Sequence, residues 1–578
     1  MKDGSLKRFF TYSVSFAACL LTACAGYRSV AMLTQPIGCV QAAASIAAGN
    51  PVSGTTLRIT TAAAQPASQT MASHCLIEGA MNERVSALDG KPYAIKFRMR
   101  LPDLWNEKLF FAGGGGSNGV VADATGPITG YAPALTRGYA VIVTDSGHDT
   151  AVDFDPAKGG SAAFGIDQQA RVDFGYHSYD VVTQLGKALA TSFYARHPKH
   201  SYFIGCSEGG REAMLVTQRF PTYFDGVVAG CPAMSTPIHQ AYASLLAQTF
   251  ATLVPGLVDQ FGNPLIVKAY TDSDIQLVST AVLKACDALD GLVDGMVNNL
   301  AACTDALVVP QLTALTCVGA KTATCLSAAQ ISALRTVMAG PKTSAGVQIY
   351  PGNPWDPGIG GMNGGVLNQG FRSWWLGTYT STTNDAIKVT LSAPLHAMVH
   401  TTPPVPLTVD QNFAWELRFN RDDTIRNASR TTSYYTTSDI DNALATSTDL
   451  SGFKQNGGKL IQYIGQADPA VSPNETIGWY NSLNQAQGGT AASFARLFLV
   501  PGMNHGAGGP ATDKFDMLTA LEDWVERGVA PDSIPASATN PGYFGVASRT
   551  RPLCPYPSWA HYKGAGDINQ ASSFTCGP

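Results

Sequence analysis

The sequence predicts an α/β fold with a mostly parallel β-sheet, flanking helices and one large insertion. At 578 residues the chain is longer than a single ordinary core requires. Short apolar runs alternate with helical segments over residues 93–230 and again over residues 459–500, which is the rhythm of βαβ units. The stretch between is rich in Thr, Ser, Gly and Pro and has few strand-like runs. We therefore assign the core to residues 25–233 and 451–578, and an inserted lid domain to residues 234–450.

Individual elements follow from local patterns. Tyr139–Thr144 and Ser201–Gly205 read as buried strands, and the helical spacing of apolar residues over Tyr179–Ala195 predicts the crossover helix between them. The same strand pattern returns at Lys459–Tyr463 and Phe494–Val500. We find no internal repeat.

Residues 1–23 are predicted to be a signal peptide, because basic residues precede an apolar run from Phe9 to Ala23. Leu21-Thr-Ala-Cys24 resembles a bacterial lipobox, whose cysteine is acylated; ordinary cleavage and free secretion is the alternative. No later segment is long and apolar enough to span a membrane. We expect an exported protein, either an outer-membrane lipoprotein or a periplasmic or secreted one.

The composition excludes a nucleic-acid-binding surface, since the formal net charge is −4 and no basic field is present. A small, largely uncharged ligand fits better. We expect a monomer with no organic cofactor.

Twelve cysteines are present, and ten remain after Cys19 and Cys24 are set aside. In an oxidising compartment disulfides are the default, although sequence alone does not determine their connectivity. Short loops favour the pairs Cys286–Cys303, Cys317–Cys325 and Cys554–Cys576, with Cys39–Cys75 near the start. Cys206 and Cys231 remain.

Gly205-Cys-Ser207-Glu-Gly209 is a G-x-S-x-G pentapeptide between a strand and the helical segment Arg211–Arg219. This context is that of a nucleophile elbow, in which glycines allow a strained turn and the serine hydroxyl is held at a helix N-terminus. The pattern predicts Ser207 as a nucleophile on an α/β-hydrolase fold.

An acid and a histidine follow in the chain order of that fold. Asp468 lies on a turn just past one predicted strand, and His505 lies on a glycine-bracketed loop after the next. We predict that His505 is the general base and that Asp468 orients it. His148 is the main alternative base, but it precedes the serine and is better placed to support the floor of the site.

A glycine-rich segment over residues 109–119 follows an early strand and predicts the second oxyanion donor. We assign the two donors to the backbone N–H groups of Gly116 and Glu208. A nucleotide-binding loop is the weaker interpretation, because the spacing is not G-x-G-x-x-G and no P-loop lysine follows.

An acidic cluster within the insertion resembles the first half of an EF-hand loop and favours a structural Ca²⁺ ion. A hydrated acidic turn is the alternative. The predicted ligands are the carboxylates of Asp287, Asp290 and Asp294 and the carbonyls of Leu292 and Met296.

Several long motifs together resemble the tannase and feruloyl esterase family over nearly all of the mature chain. They are Gly205–Glu212, Cys286–Asn299, Arg372–Gly377, Pro501–His505 and Pro541–Val546. The resemblance implies an α/β-hydrolase core with a lid, the triad and calcium ligands named above, and small esters of aromatic acids as substrates. It also implies substrate contacts at Gly115, Trp374, Lys388, Ser392 and Ile464.

This sequence departs from the family at three points. Lys388 stands where one member has an arginine that holds a substrate carboxylate, and lysine lacks the planar fork for bidentate binding. Ser392 replaces a lid phenylalanine, so stacking on the substrate ring is lost. The cysteine that usually follows the catalytic histidine is Gly506 here. Neighbouring parallel strands lie about 4.8 Å apart, so Cys206 is predicted to pair with Cys231 instead.

The expected activity is therefore ester hydrolysis through an acyl-enzyme intermediate. Within enzymes, the alternative is a feruloyl or tannin-type esterase acting on plant phenolics. A non-catalytic surface lipoprotein is the alternative from another class. The complete set of triad and oxyanion residues argues against it.

Overall fold

A computed structural model describes residues 38–360 and 370–578. A nine-stranded sheet forms its centre, with spatial order β1-β2-β3-β5-β4-β6-β7-β8-β9. The strands are β1 (Leu57–Gln65), β2 (His74–Val85), β3 (Pro92–Pro102), β4 (Lys108–Ala112), β5 (Ala140–Thr144), β6 (His200–Cys206), β7 (Gly226–Gly230), β8 (Lys459–Gly465) and β9 (Ala495–Val500). The signal peptide and the lipobox lie outside the described residues.

The sheet has an antiparallel and a parallel half. The pairs β1/β2, β2/β3 and β3/β5 are antiparallel, and from β5 through β4, β6, β7 and β8 to β9 every pair is parallel. The mostly parallel α/β sheet predicted from the sequence is confirmed. Strands β1 and β2 lie before the βαβ pattern and were not predicted from the sequence.

Apolar side chains cover both faces of the sheet. Every residue of β5 and β7 is buried, as expected for central parallel strands. Neighbouring residues on one strand point to opposite faces, so Phe110 of β4 packs into one core cluster and Phe111 into the other.

Helices lie before, within and after the insertion. The first group is α1 (Cys39–Gly49), α2 (Thr150–Asp153), α3 (Gln168–Val172), α4 (Ser178–Tyr194) and α5 (Glu208–Arg219). Between β7 and β8 lie α6 (Thr236–His239), α7 (Ala241–Ala251), α8 (Asp272–Cys286), α9 (Asp305–Ala314), α10 (Ala328–Met338), α11 (Ala393–Met398), α12 (Asn412–Arg418), α13 (Thr424–Ser429), α14 (Asp439–Ala443) and α15 (Ser451–Gln455). After β8 come α16 (Pro473–Ala486) and α17 (Met517–Arg527).

Two boundaries differ from the prediction for local reasons. The crossover helix α4 ends at Tyr194 because Ala195 has a φ of 53°, which is left-handed. The elbow helix α5 begins at Glu208 rather than Arg211, directly after the serine.

The segment between β7 and β8 contains no strand within its described residues, 231–360 and 370–458. It holds two π-helical turns, Arg372–Leu376 and Lys388–Ser392, and a third, Asp173–His177, precedes α4. The lid boundaries at residues 234 and 450 stay a prediction.

Two small sheets complete the chain. Strands β10 (Lys514–Phe515), β11 (Ile534–Ser537) and β12 (Thr550–Leu553) form one, and β13 (Trp559–Tyr562) and β14 (Phe574–Gly577) form the other. In the described part of the chain, no helix has the length and apolar character needed to cross a membrane.

Five disulfides are present. They join Cys39 to Cys75, Cys206 to Cys231, Cys286 to Cys303, Cys317 to Cys325 and Cys554 to Cys576. These are the pairs proposed from the sequence.

Candidate active site

Ser207 occupies a sharp turn between β6 and α5. Its φ of 66° and ψ of −121° are unfavourable for a residue with a side chain, which is the strain expected of a nucleophile elbow. The flanking glycines are required by close backbone contacts. A Cβ at Gly205 would lie 2.3 Å from the carbonyl oxygen of Gly209, and a Cβ at Gly209 would lie 2.5 Å from that of Gly114.

Asp468 and His505 form a hydrogen-bonded pair on the loops that follow β8 and β9. The Nδ1–H group of His505 faces both carboxylate oxygens of Asp468, at 3.0 and 2.8 Å. The buried carboxylate also accepts hydrogen bonds from the amides of Ala470 and Val471 at 2.8 and 3.0 Å. Nε2 of His505 is buried with no hydrogen-bond partner in the described chain, so it is the nitrogen left to accept a proton.

The histidine loop packs against the disulfide Cys206–Cys231 at Gly506. A Cβ at Gly506 would lie 2.8 Å from Sγ of Cys206 and 3.6 Å from Sγ of Cys231, so only glycine fits there without displacing the bond. Potential ligand atoms of Cys231, Asp468 and His505 lie within 4.8 Å of one another. Since this sulfur is bonded to another sulfur and the carboxylate to the imidazole, the cluster lacks a free thiolate ligand.

His148 is placed as a support. Its Nδ1 lies 3.0 Å from a carboxylate oxygen of Asp153, and its Nε2 lies 2.8 Å from the carbonyl oxygen of Ser117. The ring is fully buried and stacks on Phe164 at 3.8 Å. Both nitrogens are engaged, so His148 is not available as a base.

The two predicted oxyanion donors are free of internal acceptors. In the described chain, the backbone amides of Gly116 and Glu208 donate to no protein atom. A Cβ built at Gly115 or Gly116 would meet nothing within 4 Å, so this part of the glycine loop borders open space. The Glu208 side chain turns inward to pair with the buried guanidinium of Arg211 at 2.5 Å.

Trp374 forms an aromatic wall against the histidine. It lies on the π-helical turn Arg372–Leu376, and its ring centroid is 5.0 Å from that of His505 at an interplanar angle of 70°. Its indole N–H is buried with no hydrogen-bond partner among the described residues. The Lys388 ammonium lies 5.8 Å from the same ring.

Lys388 is buried and held by internal partners. Its Nζ donates to the carbonyl oxygen of Ala470 at 2.7 Å and lies 2.5 Å from Nε2 of His239. Burial lowers the pKa of Lys388 to about 7, against the opposing attraction of Asp468 and Glu475. The ammonium of Lys388 is thus bound to the loop that carries Asp468.

The other two predicted substrate residues are also buried. Ser392 ends the second π-helical turn with 3% of its surface exposed, and Ile464 lies near the end of β8 and is fully buried. Neither contributes a polar atom that the structure joins to the triad.

The predicted calcium ligands share one loop after α8. Asp287 accepts hydrogen bonds from the amides of Asp294 and Gly295 at 3.2 and 3.1 Å, and Asp290 accepts one from the amide of Asn298 at 2.8 Å. Burial raises the pKa of both Asp287 and Asp290, and the nearby charge of Asp294 raises each further.

The chemistry of this donor set fits an oxygen-ligated cation. The carbonyl oxygens of Leu292 and Met296 accept no hydrogen bond in the described chain. Oδ2 of Asp294 pairs with Arg551, whereas Oδ1 faces the loop and accepts a hydrogen bond from the amide of Met296 at 3.2 Å. Carboxylates crowded together with free carbonyls are what Ca²⁺ uses in proteins.

Comparison with known proteins decides the family. The family described as tannase and feruloyl esterase matches residues 80–577. The chain belongs to this family. A mono(2-hydroxyethyl) terephthalate hydrolase from Piscinibacter sakaiensis is 50% identical over 512 residues, covering 87% of this chain and 84% of the relative. Feruloyl esterase B from Aspergillus niger is 27% identical, covering 82% of each chain.

Two solved structures share the fold of this chain. An esterase from Aspergillus oryzae matches with a TM-score of 0.67 at 21% identity, covering 94% of this chain and all of that one. A tannin acyl hydrolase from Aspergillus niger matches with a TM-score of 0.61 at 20% identity, covering 91% of this chain and 92% of that one. The α/β-hydrolase fold predicted from the sequence is confirmed.

As a member of the tannase and feruloyl esterase family, the chain is a carboxylic ester hydrolase. Its five disulfides indicate an oxidising compartment, outside the cytoplasm.

Two buried groups beside the candidate site were not predicted from the sequence. His239 contacts Lys388, and Glu475, whose pKa burial raises to about 7, accepts hydrogen bonds from Ser235 and Tyr350. Neither residue follows a strand end or belongs to a recognisable motif, so no signal in the sequence marks it.

Proposed function

We propose that this protein hydrolyses small esters of aromatic carboxylic acids, with Ser207 as nucleophile, His505 as base and Asp468 as its orienting acid. The observation that carries the proposal is the His505 pair: Nδ1 is held by both oxygens of Asp468, while Nε2 is buried and has no partner in the described chain. An imidazole held in this tautomer can accept the serine proton.

The reaction proceeds in two halves. Ser207 Oγ attacks the ester carbonyl as His505 takes its proton, and the oxyanion is stabilised by the amides of Gly116 and Glu208. The alcohol leaves with the proton returned by His505, so an acyl-enzyme remains. Water, deprotonated by the same imidazole, then attacks the acyl carbonyl; the bond to Ser207 Oγ breaks, the imidazolium returns its proton to that oxygen, and the acid is released.

Trp374 supports an aromatic acyl group. Its ring stands 5.0 Å from that of His505, so a flat apolar acid bound beside the nucleophile would meet the indole. The terephthalate monoester hydrolase is 50% identical to this chain and feruloyl esterase B is 27% identical. This difference favours mono(2-hydroxyethyl) terephthalate, cleaved to terephthalate and ethylene glycol, over plant phenolic esters.

The free carboxylate of such a monoester would require a cation. Lys388 is the cation near Trp374, but in this structure its donors are directed to Ala470 and His239. Binding of a carboxylate therefore requires the ammonium to share or exchange these partners, and we expect weaker selection for the acid than an exposed arginine fork gives.

The test is hydrolysis of three substrates by wild type and by Ser207→Ala. Mono(2-hydroxyethyl) terephthalate, methyl ferulate and methyl gallate would be compared by kcat/KM. Highest turnover of the terephthalate, lost in the variant, is the expected result. Activity confined to the two phenolic esters would replace the substrate proposal with the feruloyl or tannin type, and turnover that survives Ser207→Ala would overturn the triad.

We propose a structural Ca²⁺ ion at Asp287, Asp290 and Asp294, with the carbonyls of Leu292 and Met296. The unpartnered carbonyls and the raised pKa values of Asp287 and Asp290 support it. A bound divalent cation would stabilise the ionised form of both carboxylates. The loop would then hold the inserted segment without taking part in the chemistry.

We also propose that Cys24 carries a lipid anchor and that the protein acts as a monomer. The sequence Leu21-Thr-Ala-Cys24 after an apolar run supports the first. For the second, the residues proposed for the triad and the oxyanion hole all belong to one sequence, so the reaction itself needs no second copy. Mass spectrometry of the mature N-terminus and light scattering would test them.

A further inference from the structure

The fully buried carboxylate of Glu212 is not used in the reaction described above. Glu212 lies on α5, one turn after Glu208, whose amide is one of the two oxyanion donors. A buried carboxylate is costly unless it is well bonded, so its partners indicate what it does.

Both oxygens of Glu212 are directed to the glycine loop. Oε2 accepts a hydrogen bond from the amide of Gly114 at 3.0 Å. Oε1 accepts one from the side-chain amide of Asn118 at 2.6 Å and one from the hydroxyl of Tyr179 at 3.0 Å. One carboxylate thus binds the loop at two points.

These two points enclose the second oxyanion donor. Gly116 lies midway between Gly114 and Asn118, and at Gly115 and Gly116 a Cβ would meet nothing within 4 Å. On the side where a Cβ would lie, Gly115 and Gly116 are therefore not packed against another residue of the described chain. The position of this part of the loop thus depends on the hydrogen bonds to the residues on either side. Besides the two bonds to Glu212, His148 lies 2.8 Å from the carbonyl oxygen of Ser117, and the amide of Asn118 donates to the carbonyl oxygen of Gly115 at 2.9 Å.

The loop also rests directly on the start of α5. The amide of Gly209 donates to the carbonyl oxygen of Gly114 at 3.1 Å, and a Cβ at Gly113 would lie 2.9 Å from Cα of Gly209. The same helix therefore carries one oxyanion donor at its first residue and the carboxylate that holds the loop of the other.

We propose that Glu212 is a positioning residue that sets the distance between the two oxyanion donors, Gly116 and Glu208. An oxyanion hole stabilises charge only if its donors are already placed where the oxyanion forms. Glu212 does not touch the substrate, and it acts through Gly114 and Asn118. This inference rests on the roles proposed above for Ser207 and the two amides.

The electrostatic environment agrees with this arrangement. Burial raises the pKa of Glu212 to about 7 and the charge of Glu208 raises it too, whereas the bonds from Asn118 and Gly114 and the charge of Arg211 oppose the shift. The hydrogen bonds that hold the loop are thus the same ones that favour the ionised acid.

The experiment compares Glu212→Gln and Asn118→Ala with wild type on a p-nitrophenyl ester. A carboxamide keeps one acceptor oxygen but loses the other, so one of the two loop contacts fails. Because deletion of a whole oxyanion donor typically costs ~10²–10³ in kcat, we expect kcat to fall about 10- to 100-fold with KM nearly unchanged. The double variant should lose little more than the worse single variant, because both act on one loop.

A matched control is Glu416→Gln. Glu416 is also fully buried and bonded by two side chains, Ser244 and His396, but it lies on α12 in the inserted segment. It should lose thermal stability without a specific loss of kcat. Melting curves of all variants establish that they are folded, and Asn118→Ala carries the test if Glu212→Gln does not fold.

The outcomes are distinguishable. Turnover of wild type that persists in Ser207→Ala overturns the proposed triad and this inference with it. Turnover that depends on Ser207, with kcat unchanged in a folded Glu212→Gln or Asn118→Ala variant, overturns this inference alone. Equal losses of kcat in Glu212→Gln and Glu416→Gln would also overturn it, since the effect would then be one of general stability.

Discussion

The parallel half of the sheet and the inserted segment hold their site residues in different ways. Ser207, Asp468 and His505 each follow the carboxyl end of a strand, β6, β8 or β9, where neighbouring parallel strands bring their loops to one edge. Trp374 and Lys388 lie instead on π-helical turns. π-helical turns are rare in proteins as a whole, and those that occur are often found at functional sites.

We expect this difference to separate the residues that carry out the reaction from those that select the substrate. The strand-end residues lie at one edge of the sheet beside the disulfide Cys206–Cys231, and the Asp468 carboxylate is held by backbone amides. The π-turn residues depend on contacts within the inserted segment and with the loop of Asp468. We therefore expect substitutions in the core to abolish turnover, and those in the insertion to alter stability or selectivity.

The largest expected effect is that of Ser207→Ala. Loss of the nucleophile should reduce kcat by about 10⁴- to 10⁶-fold, while the residual rate comes from the oxyanion donors and binding. Steady-state kinetics on the ester that wild type cleaves fastest would measure it. Ser273→Ala, an exposed serine on α8, is the control and should be unchanged. Retained activity in Ser207→Ala would show that Ser207 is not the nucleophile.

The next largest effect is expected for Asp468→Asn. Since Nδ1 of His505 lies 3.0 and 2.8 Å from the two carboxylate oxygens, an amide in their place would favour the wrong tautomer. We expect kcat to fall by about 10⁴-fold. The matched control is Asp439→Asn. Asp439 is the first residue of α14 in the inserted segment, and its carboxylate is bonded to the ring of His400. Equal losses in both would contradict the separation of the two regions.

Removal of one disulfide from each region would compare their contributions to the free energy of unfolding. Cys206–Cys231 closes a separation of 25 residues and Cys317–Cys325 one of 8, so chain entropy predicts losses of about 3.5 and 2.5 kcal/mol when each pair is replaced by serine. Only the first pair contacts Gly506 beside the base, so only its loss should also lower kcat. Denaturant unfolding and kinetics on the two double variants would measure this. Full activity without Cys206–Cys231 would show that the bond contributes stability alone.

Calcium removal should lower the stability of the inserted segment and leave kcat nearly unchanged. At a concentration about 100-fold above its Kd, an ion bound only by the folded state stabilises it by about 2.7 kcal/mol. A chelator should therefore lower the melting temperature of wild type by several degrees, with kcat at low temperature nearly unchanged. Asp290→Asn should abolish this response, and the exposed Asp410→Asn should keep it. An unchanged melting temperature would contradict the proposed site.

The smallest effect concerns selectivity and pH. Because burial lowers the pKa of Lys388 to about 7, its ammonium form is favoured below that pH and lost above it. KM for a monoester with a free carboxylate should therefore rise severalfold between about pH 6 and 8, with no such change for methyl ferulate. Glu475, with a pKa also raised to about 7, titrates in the same window, and His239 has its pKa lowered by burial and by Lys388.

Lys388→Met separates these groups. The variant should lose the rise in KM for the acidic substrate while Glu475 and His239 remain. A rise that persists in the variant would assign the pH dependence to another group.

The stability contribution of Lys388 has the opposite dependence on pH. Its folded pKa lies below the unfolded value, so the unfolded chain binds more protons and stability rises as the pH increases from about 7 toward the ordinary value of 10.5. Lys388→Met should flatten this rise in denaturant unfolding.

Part of the site could be predicted because strand ends have a sequence signature. The G-x-S-x-G turn and the glycine-bracketed loop of His505 follow recognisable apolar runs, so their meeting at one sheet edge follows from parallel topology. The partner of Cys206 was accessible for the same reason, because Cys231 follows the neighbouring strand β7.

By itself the sequence determined the order β5, α4, β6 and α5 and the later pair β8 and β9, the residue types at the ends of β6, β8 and β9, and the acidic loop after α8. These features depend on local periodicity and on glycine at strained turns. The tertiary structure alone decided that Lys388 is turned toward Ala470 and His239, and that one carboxylate, Glu212, binds both Gly114 and Asn118 of the glycine-rich segment. The physical reason is that the partners of a buried polar group come from distant segments, and which donors reach it depends on packing that no local pattern encodes.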